Sequence, residues 1–368
     1  MLKEYLYRIR TRLTANIDLP LLGITLLLML AGIATIFSAT YDANNRAFGQ
    51  VLNMGVGLVV MWGVAQFQPQ KLMRFAVPLY VLGVVLLVMV FLVGVKVNGA
   101  RRWLSLGFMR IQPSEILKIA MPLMLAWYFQ KHEAALKLRH YMIASLLLVV
   151  PFALIAKQPD LGTAILVGAA GFYVIFFAGL PWKIITGMIA IGAGSAPFVW
   201  TMLHDYQRKR ILTLIDPSTD PLGSGYHIIQ STIAIGSGGL FGKGWLEGTQ
   251  THLEFIPERH TDFIFAVFSE ERGLVGCTIL VLLYTALIAR GLMITANAST
   301  LFSRVLAGSI TLSFFTYAFV NMGMVSGILP VVGVPLPFMS YGGTALVTLF
   351  LALGILMSIH SHRMLVRK

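Results

Sequence analysis

An acidic residue stands at the end of a long polar loop, where it could act as a base. The segment Pro257-Glu-Arg-His-Thr-Asp-Phe-Ile-Phe265 places Asp262 directly before an apolar run. A carboxylate that is partly removed from water has a raised pKa, which makes it a better proton acceptor near neutral pH. Glu258 is close enough in sequence to raise that pKa further by repulsion. The alternative is that Asp262 only caps the helix that follows it.

A second acidic residue shares a helical turn with a lysine. In Gln112-Pro-Ser-Glu-Ile-Leu-Lys118, Pro113 suits the first turn of a helix, so Glu115 and Lys118 lie on one helix face. Charged side chains inside a membrane are costly and by default mark a functional cavity. The two residues are therefore candidates for a site, and a neutralising structural ion pair is the alternative.

Two arginines precede this segment and could bind phosphate. In Arg101-Arg-Trp-Leu-Ser-Leu-Gly107, the guanidinium groups of Arg101 and Arg102 can each bind phosphate oxygens through paired hydrogen bonds. Trp103 is also typical of an anchor at a membrane–water interface. The basic residues of this region could instead pair with nearby acids or contact lipid headgroups.

The glycine-rich segment from Gly236 to Gly244 does not fit a nucleotide-binding loop. Lys243 is followed by glycine rather than by serine or threonine, and Phe241 occupies the position of the third glycine of a dinucleotide motif. The glycines instead predict a tight, irregular chain close to the bilayer or to a ligand.

Four residues of metal-ligand type, His252, Glu254, Glu258 and His260, fall close together in the same loop. Their order is not that of a zinc-binding helix, and the single Cys277 excludes a multi-cysteine site. A structural zinc site is therefore disfavoured. The more plausible metal is a weakly held divalent cation, magnesium or manganese, bound together with a substrate diphosphate.

Three prolines interrupt an apolar stretch near the C-terminal end of the chain. They are Pro330, Pro335 and Pro337. Together they exclude one continuous helix through this stretch. Irregular backbone at membrane depth persists only where it is buried in protein or lines a cavity. The sequence therefore predicts a re-entrant outer loop over 326–341 that is rich in proline and glycine. This loop would line one side of a site and contribute Ser340 to it.

The elements that must position these residues are membrane helices. Of the 368 residues, 57% are hydrophobic and 12% are charged, against roughly 25% charged in an ordinary soluble domain. This composition excludes a soluble, disordered or disulfide-stabilised protein. Ten apolar runs each approach the roughly 20 residues that cross a bilayer as a helix. They lie at about 19–38, 50–67, 75–95, 114–129, 141–156, 162–179, 183–203, 263–289, 302–326 and 341–360.

Lysines and arginines indicate how these helices are oriented. Basic residues gather at both chain ends and in the short loops of one side, which assigns that side to the cytoplasm. The opposite, outer side carries most of the acids and a large loop over 203–262, between the seventh and eighth helices. Its stretch from Gly225 to Ile235 predicts an amphipathic segment on the membrane surface. The net charge of +13 follows this distribution and does not indicate nucleic-acid binding.

Five strings of residues, in this order, are typical of one known family. They are His204-Asp-Tyr-Gln-Arg, Asp220-Pro-Leu-Gly-Ser-Gly-Tyr-His-Ile-Ile-Gln-Ser231, Gly242-Lys-Gly-Trp245, Pro257–Phe265 and Leu336-Pro-Phe-Met-Ser-Tyr-Gly-Gly343. The chain resembles the SEDS family (shape, elongation, division and sporulation) over nearly its whole length. Arg259 favours the elongation branch, because division-specific relatives carry a different residue there. The expected fold is an all-α polytopic membrane protein, a single transmembrane domain over 1–368.

The resemblance implies a peptidoglycan glycosyltransferase that polymerises lipid II during cell elongation. It would lie in the cytoplasmic (inner) membrane, with both termini in the cytoplasm and the active site facing the periplasm. Asp262 matches the essential carboxylate of the family. The family positions expected to line the cavity are Arg102, Trp103, Glu115, Lys118, Asp160 in Gln158-Pro-Asp-Leu-Gly162, Glu258 and Ser340. Arg101 and Lys243 complete the candidate substrate-binding residues.

The resemblance also implies partners and shows one departure. The expected partners are lipid II, an undecaprenyl-linked glycan, a class B penicillin-binding transpeptidase and other elongation-complex proteins. Relatives usually carry an apolar residue where this chain has Arg272, which leaves the role of Glu271 open.

These residues lead to one mechanistic hypothesis. Asp262 takes the proton from the acceptor 4-hydroxyl as that hydroxyl displaces undecaprenyl diphosphate, which inverts an α donor to a β-1,4 link. The cations Arg101, Arg102 and Lys118 would stabilise the leaving charge. The main alternative is a transporter that flips lipid II, and a third hypothesis is a non-catalytic scaffold. A flippase needs a polar path through both leaflets, whereas the charges here crowd the predicted outer half.

Overall fold

The protein was analysed as a computed structural model, which describes residues 16–40, 45–97, 100–105, 107, 110–203, 205–221, 223–253, 255–256 and 258–362. The helices are α1 (Leu19–Thr40), α2 (Arg46–Ala65), α3 (Pro69–Met73), α4 (Ala76–Val93), α5 (Pro113–Lys131), α6 (Leu138–Lys157), α7 (Leu161–Phe177), α8 (Trp182–Met202), α9 (Asp205–Ile215), α10 (Ser224–Ser237), α11 (Thr249–His252), α12 (Ile264–Ala296), α13 (Leu301–Val325) and α14 (Thr344–Ser361). Short 3₁₀ turns occupy Glu133–Ala135 and Pro217–Thr219.

The helical membrane architecture is confirmed. Eight helices are long and apolar enough to cross a membrane, namely α1, α2, α4, α6, α8, α12, α13 and α14. The two other predicted spans are also helical: α7 has only 17 residues, and α5 carries Glu115, Lys118 and Lys131. The fold class is therefore as predicted, and the total of ten spans stays a prediction.

A small antiparallel sheet between α4 and α5 departs from an all-helical chain. Its strands are β1 (Val95–Val97), β2 (Ala100–Ser105) and β3 (Arg110–Ile111), in the order β1-β2-β3. Val95 pairs with Trp103 and Leu104 pairs with Ile111. The apolar runs do not reveal this sheet, because its strands are short and rich in arginine. The sheet matters here because it carries Arg101, Arg102 and Trp103.

The helix α12 consists of two parts. Gly273 has φ 60° and ψ −163°, a conformation outside the helical range that favours glycine. The part after it, through Ala296, covers about 34 Å at 1.5 Å per residue, which is enough to cross a bilayer alone. The part from Ile264 to Glu271 is a separate buried helix, in which every residue is less than a tenth exposed.

The glycine-rich loop after α10 fills the break in α12. The N–H groups of Leu274 and Val275 donate to the carbonyls of Gly239 and Leu240, at 2.9 and 3.0 Å. In the other direction, the N–H group of Lys243 donates to the carbonyl of Glu270 at 3.0 Å. The loop therefore satisfies backbone groups that the break would leave unpaired inside the protein. The predicted tight chain is present, and it lies against a helix backbone.

A buried carboxylate strengthens this joint, the contact between the glycine-rich loop and the break in α12. Glu270 is fully buried and accepts hydrogen bonds from the Lys243 ammonium (2.8 Å), the Gln250 N–H group (3.0 Å) and the Thr251 hydroxyl (3.1 Å). A buried carboxylate is tolerated when it is paired and hydrogen-bonded in this way. Lys243 therefore connects the loop to the first part of α12.

The chain between α13 and α14 enters the bundle and returns without regular structure. Phe338 and Met339 are fully buried in this segment, and the backbone of both lies against Gly32 of α1. The Tyr284 hydroxyl, from the spanning part of α12, donates to the carbonyl of Pro337 at 2.6 Å. The segment 326–343, hereafter the re-entrant segment, is thus held on several sides by membrane helices.

The large loop between α8 and α12 contains the helices α9, α10 and α11. The Ser231 hydroxyl of α10 donates to the carbonyl of Val325 at the end of α13, at 2.8 Å. Gly225, Ile228, Ser231 and Ala234 of α10 are buried. One face of the predicted amphipathic segment therefore packs on the bundle, close to the re-entrant segment.

Because the glycine-rich loop packs closely on α12, one added methyl group in the loop should lower the stability of the protein strongly. Gly242 has φ 83°, and a Cβ there would overlap the carbonyl of Glu271. We expect Gly242→Ala to lower the free energy of unfolding by at least about 1–2 kcal/mol, the cost of this backbone conformation in an L-residue. Thermal unfolding in one detergent measures it.

The matched control is Gly187→Ala in α8, where an added Cβ meets nothing within 4 Å. We expect its midpoint to stay close to that of the unmodified protein. Equal midpoints for the two variants would contradict the account of the joint.

Candidate active site

Asp262 stands two residues before α12 and is half-buried. Over the described part of the chain, no donor forms a hydrogen bond with its carboxylate, and the residue at the N-cap of α12 is Phe263. Asp262 is therefore not a helix cap. Burial, and then the charge of Glu258, raise the pKa of Asp262 to about 6. An unpaired carboxylate with this pKa can accept a proton near neutral pH.

Glu258 lies close to Asp262 on the same turn of chain. Its backbone has φ 50°, and its side chain is exposed. The Thr261 hydroxyl donates to its carboxylate at 2.8 Å. This contact holds a negative charge near Asp262, in agreement with the electrostatic role expected from the sequence.

The re-entrant segment binds the backbone that leads to Asp262. The N–H group of Tyr341 donates to the carbonyl of His260 at 2.8 Å, and the Ser340 hydroxyl donates to the carbonyl of Thr261 at 2.7 Å. The same hydroxyl accepts a hydrogen bond from the Leu336 N–H group at 2.7 Å. Ser340 thus lies beside the chain that leads to Asp262, with its hydroxyl in contact with protein backbone. Its role in substrate binding stays a prediction.

Asn321 of α13 holds the peptide of Asp262 itself. Its amide is fully buried and donates to the carbonyls of Asp262 (2.8 Å) and Val334 (2.7 Å). Beside Val334, Gly333 has φ 71°, and a Cβ added there would lie 3.2 Å from an Asp262 carboxylate oxygen. The carboxylate therefore lies against a glycine backbone of the re-entrant segment.

A second fully buried amide fixes the far end of the segment. Gln50 of α2 donates to the carbonyl of Ser340 at 3.0 Å and accepts from the Gly342 N–H group at 3.3 Å. Neither Gln50 nor Asn321 was singled out from the sequence. The signal that could have found them is a polar side chain within an apolar run, which is expensive unless it has a role.

A histidine near Asp262 was also not singled out. The ring of His227, in α10, stacks on Phe263 with the centroids 5.5 Å apart and the planes at 23°. Burial lowers the pKa of His227, while the charges of Glu258 and Asp220 act in the opposite direction. A neutral imidazole therefore adjoins the residue that follows Asp262.

Arg102 and Asp160 form a pair next to the start of α7. The guanidinium of Arg102 lies 3.8 Å from the Asp160 carboxylate and also donates to the carbonyl of Pro159. Asp160 caps α7 by accepting from the Thr163 N–H group at 3.3 Å, and it accepts from the Gln112 side chain at 3.1 Å. This candidate carboxylate therefore has a structural role as a helix cap.

The re-entrant segment separates this pair from Asp262. Gly162, in the first turn of α7, packs against the carbonyl of Val332 and the side chain of Val334. Gly333, between those two valines, faces Asp262. The stretch from Val332 to Val334 therefore has the Arg102–Asp160 side of the bundle on one side and Asp262 on the other.

Glu115 and Lys118 form the ion pair that their spacing predicts. Their charged atoms are 2.6 Å apart, and the Thr348 hydroxyl donates to Glu115 at 3.3 Å. The ammonium of Lys118 also lies 5.5 Å from the centre of the Tyr317 ring, one turn before Asn321 in α13. The pair therefore contacts the helix that holds Asp262.

A cavity of about 680 Å³ opens between α2, α4, α5 and α14. Most of its lining is aliphatic or aromatic, and the polar residues come from the first turns of α5 and α14, from β3 and from the middle of α2. These polar residues are Asn53, Arg110, Gln112, Glu115, Thr344 and Thr348. The cavity is an apolar groove with a charged end, and Glu115 lies in its wall.

The remaining predicted site residues lie elsewhere. Arg101 is exposed on β2, and Trp103 is half-buried on the same strand. The Lys243 ammonium forms an ion pair with Glu270, in the joint between the glycine-rich loop and α12. The structure thus brings Asp262, Glu258 and Ser340 into direct proximity, with Arg102, Asp160, Glu115 and Lys118 on adjoining elements.

The described residues contain no group of three or more histidine, cysteine, aspartate or glutamate side chains that could hold a metal ion. Of the four candidates named from the sequence, Glu254 and the side chain of His252 lie outside the described residues. Glu258 and His260 alone do not form a metal site. The described residues therefore offer no metal site made of protein ligands alone.

Known proteins resemble this chain over nearly its whole length. The peptidoglycan glycosyltransferase MrdB of Escherichia coli K12 is 51% identical over 354 residues, which cover 96% of each chain. The peptidoglycan glycosyltransferase RodA of Treponema pallidum is 30% identical. The match covers 96% of this chain and the whole length of that protein.

Solved structures share the fold. A chain from a peptidoglycan synthase complex that coordinates polymerization and crosslinking superposes with a TM-score of 0.82 at 33% identity, covering 95% of this chain and 98% of its own length. The rod-shape-determining protein RodA of Thermus thermophilus superposes with a TM-score of 0.71 at 29% identity, covering 94% of this chain and 97% of its own. The family model for FtsW, RodA and SpoVE, described as cell cycle protein, matches residues 16–365. The chain therefore belongs to the FtsW, RodA and SpoVE family, which is the SEDS family.

Proposed function

We propose that this membrane protein polymerises lipid II into β-1,4-linked glycan strands and that Asp262 is its general base. The chain is a peptidoglycan glycosyltransferase, the activity by which its relatives MrdB and RodA are named. The observation that carries the role of Asp262 is an unpaired, half-buried carboxylate, held on a fixed backbone and given a pKa of about 6.

The chemistry follows from this state of the carboxylate. As the 4-hydroxyl of the acceptor sugar attacks the anomeric carbon of the donor, a new C–O bond forms and the bond to the lipid diphosphate breaks. Asp262 takes the hydroxyl proton, and the diphosphate leaves with the bonding electron pair. Attack from the opposite face converts an α donor into a β link. A base with a pKa near the working pH is best suited to this transfer.

The leaving diphosphate needs positive charge. Arg101 is exposed and forms no ion pair among the described residues. Arg102 lies 3.8 Å from Asp160, and its side chain is still 33% exposed. Lys118 is paired more tightly with Glu115, at 2.6 Å. We therefore assign the diphosphate contacts first to the two arginines, whose planar groups suit phosphate oxygens.

The groove between α2, α4, α5 and α14 suits a polyprenyl chain. It combines a long apolar lining with charged and polar groups at one end, as an amphiphilic lipid diphosphate requires. The amphipathic segment 226–235 is less suited to this role, because one face of α10 is packed on the bundle. The groove is the better candidate because its lining is open.

The location and partners of the protein follow the family. We place it in the inner membrane with both termini in the cytoplasm and Asp262 toward the periplasm, in agreement with the distribution of basic residues. A class B penicillin-binding transpeptidase is the proposed partner, since a structural relative comes from a complex that couples polymerization and crosslinking. Lipid II transport is not favoured, because the relatives are named as glycosyltransferases.

Asp262→Asn is expected to abolish polymerisation. The variant keeps the size and the backbone contacts of Asp262 but cannot accept the proton, so the rate should fall by at least about 100-fold, the lower range for loss of an acid–base group. The measurement is polymer formed from labelled lipid II by purified protein in detergent. Undiminished polymer would remove Asp262 from the mechanism.

The rate should depend on pH through Asp262. The carboxylate must be deprotonated to act as a base, so the rate should fall as the pH drops through about 6 and level off above it. Glu258→Gln removes the neighbouring negative charge, which lowers the pKa of Asp262 and should move the acid limb of the pH–rate profile to lower pH.

The control for this shift is Glu133→Gln, between α5 and α6, where the carboxylate accepts a hydrogen bond from Gln130 at 2.6 Å. Its acid limb should coincide with that of the unmodified protein. An acid limb that is the same in all three proteins would contradict the electrostatic coupling of Glu258 to Asp262.

A divalent cation stays a proposal that a chelator tests. Any magnesium or manganese ion would be held mainly by the substrate diphosphate and water, since the described residues offer no protein-only site. We therefore expect EDTA to reduce the rate and added magnesium or manganese to restore it, without a change in the thermal midpoint of the substrate-free protein. Full activity in EDTA would exclude the cation.

A further inference from the structure

We infer that Asn321 is a positioning residue for glycosyl transfer, which acts by holding the backbone of Asp262 against the re-entrant segment. The inference rests on the proposed role of Asp262 as the base. Asn321 lies near the end of α13 and is fully buried.

The first argument is what its amide joins. One side-chain nitrogen donates to the carbonyl of Asp262 at 2.8 Å and to the carbonyl of Val334 at 2.7 Å. Both acceptors are backbone carbonyls, so the orientation of the amide is determined by the contacts. Asn321 therefore joins the loop that carries the base to the stretch of the re-entrant segment that faces the base.

The second argument is that one uncharged side-chain nitrogen serves both carbonyls. A primary amide offers two N–H groups from one nitrogen, whereas serine or threonine offers one donor and a carboxylate offers none. Within the described residues, no other side chain joins these two carbonyls. Loss of the amide would leave two buried acceptors unpaired and the two chain segments unconnected at this point.

The third argument is the other end of the same side chain. The amide oxygen of Asn321 is buried and has no hydrogen-bond partner over the described part of the chain. A buried polar group that is only half satisfied is a poor device for stability, since such groups are costly. The position that its two N–H groups impose on Asp262 accounts for a polar side chain at this point.

The position of the carboxylate is what the amide controls. Asp262 lies beside Gly333, where a Cβ would approach its carboxylate oxygen to 3.2 Å. Ser340 binds the preceding carbonyl, that of Thr261, so the peptide on each side of the Asp262 Cα has one side-chain donor. Without the Asn321 contact, the second of these anchors is lost and the carboxylate can move relative to the acceptor hydroxyl.

The test compares Asn321→Ala and Asn321→Ser with the unmodified protein in lipid II polymerisation, with kcat and KM measured separately. A displacement of about 1 Å can cost about 100-fold in rate, so we expect kcat of Asn321→Ala to fall by about this factor with KM little changed. Asn321→Ser retains one donor and should recover part of the loss. The acid limb of the pH–rate profile should also move in Asn321→Ala, because the carboxylate changes its surroundings.

The matched control is Ser309→Ala in the same helix. Ser309 is fully buried, and its hydroxyl donates to the carbonyl of Ala170 in α7 at 2.7 Å, so the variant removes an interhelical contact of the same kind away from Asp262. Rates are expressed per folded molecule, from thermal unfolding and size-exclusion profiles of each variant. We expect Ser309→Ala to lose stability and to keep its kcat and its pH profile.

Two results would overturn the inference. One is that Asn321→Ala has the same kcat per folded molecule as the unmodified protein. If the alanine variant does not fold, the same result in Asn321→Ser decides. The other is an equal loss of kcat in Ser309→Ala. If Asp262→Asn is inactive in the same assay, such results reject only the role of Asn321. Activity in Asp262→Asn would instead reject the proposed base.

Discussion

The structure depends on one constraint: irregular backbone must be held inside a membrane bundle while the carboxylate of Asp262 is left without a partner. Every buried N–H and carbonyl group then needs a partner within the protein. The chain around Asp262 meets this need with donors from the re-entrant segment and from α13, which bind three successive carbonyls, those of His260, Thr261 and Asp262. The backbone is satisfied, and the Asp262 side chain is left available.

The same constraint explains the joint in α12. A break at Gly273 allows the first part of the helix to be a separate buried element next to Asp262, but it exposes backbone groups on both sides of the break. The glycine-rich loop supplies the missing partners, and Glu270 is neutralised by Lys243. Two irregular segments, one on each side of the first part of α12, thus support the position of a single carboxylate.

Much of this could be predicted from the sequence. The apolar runs located the membrane helices, the prolines indicated irregular chain after α13, and the family strings identified Asp262, Glu258 and Ser340. The paired charges of Glu115 and Lys118 followed from helical spacing. The small sheet could not be predicted, because strands of two to six residues leave little periodic pattern. Lys243 and Asp160 were expected at the substrate, but sequence alone cannot show that one pairs with Glu270 and the other caps α7. Asn321 and Gln50 carried a usable signal, which is polarity within apolar runs. Their partners could not be predicted, because they are backbone atoms in other segments of the chain.

The central claim concerns the protonation state of one carboxyl group, and infrared titration measures it most directly. The difference between the carboxyl absorption of the purified protein and that of Asp262→Asn, followed from acid to neutral pH, isolates Asp262. The account predicts a protonated carboxyl band that disappears with a midpoint near pH 6, since burial and Glu258 both raise the pKa. A midpoint near the ordinary aspartate value, about 4, would contradict it.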